Sequence, residues 1–420
     1  MTIDAAPVNL DTLDLSDYSL FRNGFPHHIF TQLRREAPVW KHPKTDGVAA
    51  FGGEEFWVVS KHADLLEASR DPERFRSFEG PRVQGWEERM RGQMLITMDP
   101  PAHTRQRKLI SAGFTPRMVA KLDEQARTWA ASIVDHALEL GTCNFVHEVA
   151  YQLPMNMIAD ILGIPISDRQ YVFDLINTQL HSLDPNHSLP PEEMQALQMQ
   201  SFMYGRKLSD SKLQNPTDDV WTTLTQVEVE GPDGQPTKLS QLELDLFFIV
   251  LTIAGSETTR NAISSGLIAF MENPDQLEKL RNDPSLMTTA IEEIIRVSSP
   301  VTYFRRTAVH DTELGGQQIK ANDPVTLWYP SANFDETVFE DPFRFDITRS
   351  PNPQAAFGGA GVHFCLGANL ARREIKVMFE ELLARVKDFE LIGKPEFSVA
   401  GIQSPVSVSL KDMQVKMTAK

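Results

Sequence analysis

Hydrophobic residues recur at helical spacing through most of the chain. Apolar positions three and four residues apart predict amphipathic helices over 115–139, 145–162, 168–182, 191–213, 275–297 and 368–387. Strand-like segments are fewer and cover 55–60, 324–329 and 404–410. Short proline-bearing loops separate these elements, so the pattern predicts one large, mainly α domain over 1–420 with small β-sheets. Residues 1–16 are predicted to be loosely ordered.

One predicted helix differs from the others because its first half is apolar on nearly every side. Ser240 and Glu243 form a capping box in front of it and Pro274 follows its end, which gives about 32 residues and roughly 48 Å. We expect such a helix to be buried. Its centre nevertheless contains Gly255 and Glu257, and both residue types destabilise a buried helix. Some compensating role is therefore expected for them.

Charge and composition exclude several classes of protein. The net charge of −16 argues against nucleic acid and anionic membranes as partners, and the 41% hydrophobic content is that of an ordinary globular protein. The first residues lack the positive charge and apolar run of a signal peptide, and the apolar stretch 246–254 is too short to span a bilayer. We therefore expect a cytoplasmic protein. With only two cysteines, no disulfide framework is expected.

The segment FGGAGVHFCLGANLARREI, residues 357–375, places four glycines around Cys365. Glycine lets the backbone approach a flat ligand closely. A cysteine just before a helix feels the positive end of the helix dipole, which favours the thiolate. A thiolate is the ligand that haem iron needs in a protein that cleaves O–O bonds. For Cys143 we predict an ordinary buried side chain instead.

On these residues the chain resembles the cytochrome P450 family. Its cysteine loop combines a phenylalanine, glycines, a basic residue and Cys-x-Gly, which correspond here to Phe357, Gly358, Gly359, Gly361, His363, Cys365 and Gly367. Phe357 lies one residue further from the cysteine than is common in the family. That spacing, together with GANLAR and the segment 331–353, is similar to an actinobacterial subgroup that oxidises steroid side chains and methyl-branched lipids.

The resemblance implies the fold and the cofactor. The fold would be a mainly α-helical triangular prism with a small β-rich lobe. Haem b would lie between its central and proximal helices, with Cys365 as the axial ligand of the iron. Glu293 and Arg296, which share one helix face, match the buried ion pair of the family, and Arg344 would be its third member.

The resemblance also covers the centre of the long helix. The run from Ala254 to Thr258 matches the oxygen-activation motif of the family. In that reading Ala254 and Gly255 adjoin the haem, Gly255 leaves a groove for dioxygen, and Thr258 and Glu257 deliver protons. An alternative is that Thr258 only donates a hydrogen bond to the backbone of its own helix.

Further cations are assigned by the same resemblance. The haem propionates would be bound by His103, Arg107, Arg306 and His363, with Arg305 as a competitor for Arg306. The sequence contains no dinucleotide fingerprint and no iron–sulfur cysteine cluster, so electrons from NAD(P)H would arrive through a ferredoxin-like protein. That acidic partner would dock on the basic residues Arg105, Lys108, Arg372, Arg373 and Lys376.

The substrate pocket implied by the resemblance is mostly apolar. It would be lined by Trp86, Met94, Leu95, Val250, Ile253, Ala254, Val301, Thr302 and Phe304, and closed near Gln403. We therefore expect a monomeric monooxygenase that uses O2 to hydroxylate a steroid side chain or methyl-branched lipid near a terminal carbon. A terpenoid hydroxylase is the closest alternative. A peroxide-dependent peroxygenase and a non-catalytic haem-binding protein also remain open.

Overall fold

The computed structural model describes residues 7–182, 187–231, 234–399, 404 and 408–420. The α-helices in these ranges are α1 His27–Glu36, α2 Asp46–Ala50, α3 His62–Arg70, α4 Ala102–Gly113, α5 Pro116–Leu140, α6 Gln152–Leu162, α7 Ile166–His181, α8 Pro191–Gln214, α9 Val220–Gln226, α10 Gln241–Glu272, α11 Pro274–Asn282, α12 Met287–Ser298, α13 Tyr329–Ala332 and α14 Ala368–Arg385. No helix within the described residues is long and apolar enough to span a membrane.

The strands are short and form separate small sheets. They are β1 Val39–His42, β2 Phe56–Val59, β3 Phe75–Arg76, β4 Thr142–Asn144, β5 Val229–Glu230, β6 Pro236–Thr237, β7 Tyr303–Ala308, β8 Thr312–Leu314, β9 Gln317–Ile319, β10 Pro324–Trp328, β11 Val386–Leu391, β12 Glu396–Val399, β13 Val408–Asp412 and β14 Gln414–Ala419. A mainly α fold with small sheets, as the sequence predicts, is therefore confirmed.

The chain divides into two compact units, each assembled from several segments. The first unit comprises Met1–Gly92, Asn261–Ala368 and Lys394–Asp412, and the second comprises Gln93–Arg260, Asn369–Gly393 and Met413–Lys420. Helix α10 begins in the second unit and ends in the first. The single domain predicted over 1–420 stays a prediction.

The first unit is built on a five-stranded sheet with the strand order β1-β2-β10-β7-β3. Strand β2 is apolar at every position because both faces of this sheet are buried. Successive side chains of a strand point to opposite faces, so Phe56 and Val58 join one hydrophobic cluster while Trp57 and Val59 join the other. Strands β2 and β10 are parallel, and the other pairings in this sheet are antiparallel.

The second unit consists of helices with a three-stranded sheet, β11-β14-β4. The predicted capping box begins α10: the Ser240 amide donates to Glu243 Oε2 at 2.8 Å, and the Glu243 amide donates to Ser240 Oγ at 3.2 Å. Helix α10 is 32 residues long, as predicted. Its first half is held by aromatic packing, since Phe247 stacks on the buried Trp221 of α9 at 6.1 Å.

One local prediction is wrong. The helix predicted over 275–297 is divided into α11 and α12 because Pro284 has no amide hydrogen to donate, and the Asp283 side chain caps a short turn there instead.

Two other local predictions fall partly outside the described residues. The loosely ordered segment predicted over 1–16 stays a prediction; within it, Leu13 and Leu15 are buried in the first unit, and the Leu15 amide donates to His42 at 2.9 Å. Of the strand predicted over 404–410, residues 408–410 belong to β13 and 405–407 lie outside the described residues.

Candidate functional site

The loop around Cys365 belongs to the first unit. The Cys365 amide donates to the carbonyl of Phe357 at 2.9 Å, which closes the loop, and the Cys365 carbonyl accepts from Ala368 at 3.4 Å where α14 begins. The thiol of Cys365 is exposed and so is the neighbouring Phe364 ring. A thiol at the start of a helix is stabilised as the thiolate by the helix dipole. The loop therefore presents a thiolate-forming group on an accessible apolar surface.

Two glycines are required for this loop to form. Gly358 and Gly361 have φ angles of 96° and 97°, a region that side chains with a Cβ rarely adopt. In addition, a Cβ on Gly361 would lie 2.1 Å from the carbonyl oxygen of Ser69, at the end of α3. The loop can approach α3 only because position 361 has no side chain.

Three basic side chains of the first unit, Arg305, Arg306 and His363, differ in the hydrogen bonds that they make within the protein. The Arg305 guanidinium donates to the carbonyl of Val83 at 2.8 Å and to Thr307 Oγ1 at 3.1 and 3.2 Å, and burial lowers its pKa to about 10. Arg306 is buried too, and it donates to the carbonyl of Arg305 at 2.9 Å. His363, in the cysteine loop, lies 3.0 Å from the hydroxyl of Ser77. Arg305 is thus committed to internal contacts.

A buried ion pair holds α12 to the chain that leads into the cysteine loop. Both oxygens of Glu293 accept from the guanidinium of Arg296 at 2.8 Å, and both side chains are fully buried. Arg296 also donates to the carbonyls of Asn333 and Pro342 at 2.8 Å. Asn352 completes the group by donating to Glu293 at 3.1 Å.

The prediction of Arg344 as third member of this network is wrong. The Arg344 side chain is exposed, and only its carbonyl takes part by accepting from Arg296 at 3.4 Å. The third cation is Arg349, whose Nε lies 3.1 Å from Glu293 Oε2. Both arginines belong to the same loop, and the backbone turns so that the later one points inward.

The centre of α10 has one accessible side and one buried side. Val250, Ile253, Ala254 and Thr258 keep solvent access, with Ile253 at 36%, and their spacing of three and four residues puts them on one face. Thr258 Oγ1 donates to the carbonyl of Ala254 at 2.9 Å. This hydrogen bond to the helix's own backbone is the one considered as an alternative role for Thr258, and it leaves the hydroxyl oxygen able to accept.

The two unfavourable residues of this helix have partners that the sequence analysis missed. Glu257 is buried beside Arg260, three residues on, and the two form a close ion pair. A Cβ on Gly255 would lie 2.4 Å from Cδ1 of Ile158 in α6. Gly255 therefore allows α6 to pack closely, and Arg260 compensates the charge of Glu257.

Another buried carboxyl group in the second unit comes from α14. Glu374 is 2% exposed, and burial raises its pKa to about 8, with a hydrogen bond from Thr259 of α10 acting in the opposite direction. Burial therefore favours the protonated form of this carboxyl. Glu374 is close to Thr259, the residue after Thr258 on α10. No sequence motif pointed to Glu374.

The other basic residues predicted to bind propionates or a redox partner lie in the second unit. His103 is buried and Arg107 half-buried on one face of α4. Arg105 is bound to Glu243 at 2.6 Å, and Lys108 donates to the carbonyl of Glu230 at 3.2 Å. On α14, Arg373 pairs with Asp123, and Lys376 lies 3.7 Å from Glu380. Much of the predicted basic docking set is therefore neutralised within the chain.

The predicted pocket residues are divided between the two units. In the first, Trp86, Val301 and Phe304 are half-buried and Thr302 is buried. In the second, Met94 and Leu95 are buried at a short 3-10 turn. Gln403 lies outside the described residues.

Each part of the candidate site, taken by itself, fits a haem. An exposed thiol at a helix start supplies the iron ligand, and the glycine loop around it gives close access to a flat ring. Buried Arg306, whose guanidinium has few internal contacts, suits a carboxylate. In the second unit, the accessible apolar face of α10 taken by itself suits contact with a flat apolar ring. These residue types are the ones that a haem-thiolate protein requires.

Comparisons with known proteins agree. The family model "Cytochrome P450" matches residues 21–396. The chain is 40% identical to a steroid C26-monooxygenase of Rhodococcus jostii, over 94% of this chain and 83% of that protein. It is 38% identical to a methyl-branched lipid omega-hydroxylase of Mycobacterium bovis, over 87% and 86%. The chain belongs to the cytochrome P450 family, and it is a haem-dependent monooxygenase.

A solved structure gives the same result for the fold. Mycobacterium marinum cytochrome P450 CYP268A2, in complex with pseudoionone, aligns with a TM-score of 0.87 and 34% identity over 98% of this chain and all of that one. The predicted family and fold class are confirmed.

Proposed function

We propose that this P450 hydroxylates a steroid side chain or a methyl-branched lipid near a terminal carbon. The observation that carries the proposal is the accessible apolar face of α10, where Val250, Ile253 and Ala254 precede Thr258 on the same side of the helix. An accessible apolar surface favours lipophilic ligands. The names of the two relatives, a steroid C26-monooxygenase and a methyl-branched lipid omega-hydroxylase, support the same substrate class.

A terpenoid substrate is the second candidate. It is favoured by the similar structure that contains pseudoionone. Steroid side chains, branched lipids and terpenoids all carry methyl branches, so one apolar surface could accept each of them. The shape of the pocket, not its polarity, would decide among them.

The cofactor in this proposal is haem b, which supplies the oxygen-activating chemistry when bound. Cys365 would hold its iron. Arg306 is the better candidate than Arg305 for a propionate, because the Arg305 donors are already used by Val83 and Thr307. His363, His103 and Arg107 would supply further donors.

Proton delivery in this proposal starts from the Glu257–Arg260 pair. Glu257 is buried and held by Arg260, so it must exchange that contact to pass a proton towards Thr258. The Thr258 hydroxyl can accept a hydrogen bond on its oxygen while it donates its own hydrogen to the carbonyl of Ala254 or to a ligand. Two neighbouring residues of α10 would thus connect the buried and accessible sides of the helix.

The electron donor would be a ferredoxin-like protein reduced with NAD(P)H, acting on a monomeric, cytoplasmic enzyme. Arg105, Arg373 and Lys376 of the predicted docking set already face carboxylates of this chain, which reduces the positive charge they could offer to an acidic partner. Such a surface would bind its partner weakly and with a modest dependence on salt.

Ligand binding to the ferric enzyme tests the proposed substrate class. A cholestenone, a methyl-branched fatty acid and pseudoionone are titrated separately, and displacement of the iron-bound water is followed by the low-spin to high-spin shift. We expect full shifts with the steroid or branched lipid, and products oxidised near a terminal carbon. A response restricted to small polar compounds would contradict the proposal, and a full shift with pseudoionone alone would favour the terpenoid candidate.

Turnover measurements separate the remaining alternatives. Hydrogen peroxide without reductant, at a rate equal to that of the reductase-driven reaction, would identify a peroxygenase. A complete absence of product with competent redox partners would identify a non-catalytic haem protein. We expect neither result, because the Glu257–Thr258 pair provides a proton route that only the reductive reaction needs.

Replacing Thr258 by alanine should uncouple oxygen reduction from hydroxylation. Loss of a positioned proton donor lowers product formed per NAD(P)H consumed by roughly tenfold to a hundredfold, and hydrogen peroxide accounts for the missing electrons. Alanine preserves the helix, so the spin shift should be unchanged. Thr252→Ala is the matched control, since Thr252 lies on the same helix, is 2% exposed and donates to the carbonyl of Phe248 at 2.9 Å. Equal coupling in both variants would remove Thr258 from the proton route.

A further inference from the structure

Arg82 lies in the loop that follows β3, and its guanidinium group is not neutralised by a carboxylate of the described residues. Within the described residues its guanidinium makes no hydrogen bond and no ion pair. The side chain is only half-buried, yet burial lowers its pKa, and the Tyr303 phenol is the one group that acts in the other direction. The guanidinium thus keeps some solvent access although its surroundings disfavour the charged form.

The backbone around Arg82 is held firmly. The Arg305 amide donates to the carbonyl of Pro81 at 3.0 Å, and the Arg305 side chain donates to the carbonyl of Val83 at 2.8 Å. The Gly85 amide donates to the carbonyl of Arg82 itself at 2.9 Å. The protein thus fixes the residues on both sides of Arg82 and leaves the guanidinium without an internal acceptor. That arrangement is what a pre-formed binding group requires.

In the part of the chain that the structure describes, Arg82 forms no ion pair with a carboxylate. Glu79, the nearest acidic residue in the sequence, is bound by Arg76 of β3. Arg82 and Arg305 both act to lower the pKa of the Tyr303 phenol, which burial raises. A partly desolvated positive charge without a counter-ion is unfavourable, and an anionic ligand would compensate it, whereas a ketone or hydroxyl would only accept a hydrogen bond.

A second polar group in the same loop lacks a partner. The side-chain oxygen of Gln84 is buried and has no hydrogen-bond partner within the described ranges. An amide can present its oxygen or its NH2 group after a half-turn, so Gln84 can donate to an oxygen atom of a ligand. A carboxylate has two oxygens and can accept from both residues.

We propose that Arg82, with Gln84 beside it, binds the carboxylate of a lipophilic acid substrate at the end remote from the oxidised carbon. This inference rests on the proposed function, because oxidation near a terminal carbon leaves the carboxylate at the opposite end of the molecule. It narrows the substrate class from lipids in general to long-chain or steroid-derived acids.

The test is a set of spin-shift titrations with the haem-loaded full chain. The ligands are a terminally methyl-branched long-chain fatty acid, its methyl ester and the corresponding primary alcohol. We expect the wild-type enzyme to bind the acid more tightly than the ester and the alcohol. Arg82→Gln should weaken binding of the acid by about tenfold to a hundredfold, the effect of losing a hydrogen bond to a charged group, and change ester binding by less than about twofold.

Two further variants control for charge and for folding. Arg89→Gln removes an arginine from the same loop, but Arg89 is 73% exposed and pairs with Glu87, so acid binding should not change. Arg82→Lys keeps the positive charge and should retain part of the preference for the acid. The wild-type preference for acid over ester requires no variant at all, so it tests the proposal even where Arg82→Gln does not fold.

Three outcomes would overturn the inference. The first is equal affinity of the wild-type enzyme for acid and ester. The second is an equal loss of both in Arg82→Gln. The third is a lower haem content or faster haem loss in Arg82→Gln, which would assign Arg82 to the cofactor. If the ester, the alcohol and a cholestenone still shift the spectrum, the proposed function stands while this inference fails. If no ligand of the set binds, both fail.

Discussion

The reduced carbon monoxide complex of Cys365→Ser is expected to lack the absorption band diagnostic of thiolate-ligated haem, and hydroxylation should be abolished. Serine is nearly the same size as cysteine, so the loop closed between Cys365 and Phe357 should persist. The alcohol, however, is not ionised at neutral pH and cannot donate electron density to the iron as a thiolate does. The loss is therefore electronic and not structural.

The second cysteine provides a matched control. Cys143 is buried in β4, and burial raises the pKa of its thiol to about 11, with Glu148 adding to the effect. Roughly one molecule in ten thousand would carry a thiolate there at pH 7. Cys143→Ser should accordingly leave the carbon monoxide spectrum and the rate unchanged. A thiolate spectrum that survives in Cys365→Ser, or that disappears in Cys143→Ser, would contradict the assignment of the ligand.

The features that the sequence predicts correctly are those encoded within one element. The capping box of Ser240 and Glu243, the length of α10 and the glycines around Cys365 each depend on residues a few positions apart. Their geometry is fixed by helix periodicity or by backbone sterics, so a local pattern suffices to find them. The family resemblance was also carried by such local motifs.

The features that it misses depend on how distant segments meet. In the sequence, Gly255 suggests a groove for a ligand. In the structure, the space that a side chain at position 255 would occupy is filled by Ile158, nearly a hundred residues earlier in the chain. Glu374 belongs to no motif, and its raised pKa arises from burial, which a hydrogen bond from Thr259 opposes. Arg260 is different, because its spacing of three from Glu257 could have been recognised in the sequence.

Two arginines of the candidate site also show that a local sequence pattern does not predict contacts between distant segments. Arg305 and Arg306 are adjacent in sequence and cannot be ranked from it, yet successive side chains of a strand point to opposite faces. Arg305 is held by Val83 and Thr307, whereas Arg306 donates to the carbonyl of Arg305 and makes no other hydrogen bond within the described ranges. Because their side chains lie on opposite faces of the strand, Arg305 binds internal groups while Arg306 stays the candidate for a propionate. The sequence motif cannot distinguish these two roles.

Removing the carboxylate of Glu293 is expected to destabilise the enzyme more than any other single change in this network. Glu293 is fully buried, and it accepts from Arg296 at 2.8 Å and from Arg349 at 3.1 Å. Glu293→Ala would leave two buried cations uncompensated, at a cost of about 3–5 kcal/mol. That is a large part of the roughly 5–15 kcal/mol that stabilises a typical protein. Glu293→Gln, which keeps the shape but loses the charge, should lie between wild type and alanine.

Urea unfolding of the haem-loaded enzyme, followed by the thiolate absorption band, measures this effect. Glu292→Ala is the control: Glu292 precedes Glu293 on α12, is only half-buried, and accepts from Gln354 at 3.1 Å, so about 1 kcal/mol or less is expected. Similar midpoints for the Glu292 and Glu293 variants would show that the network does not stabilise the fold.

The two arginines of the following loop extend the same experiment and decide which of them completes the network. Arg349→Ala removes a side chain that is 10% exposed and bound to Glu293, so we expect a loss of about 2–3 kcal/mol. Arg344→Ala removes an exposed side chain and leaves its carbonyl bond to Arg296 intact, so the change should stay within about 0.5 kcal/mol. The reverse order would restore Arg344 to the position that the family motif gives it. Because both substitutions remove one positive charge from one loop, the change in net charge cancels in the comparison. The difference then reports the contact of Arg349 with Glu293 together with its hydrogen bonds to the carbonyls of Glu340, Asp341 and Arg344.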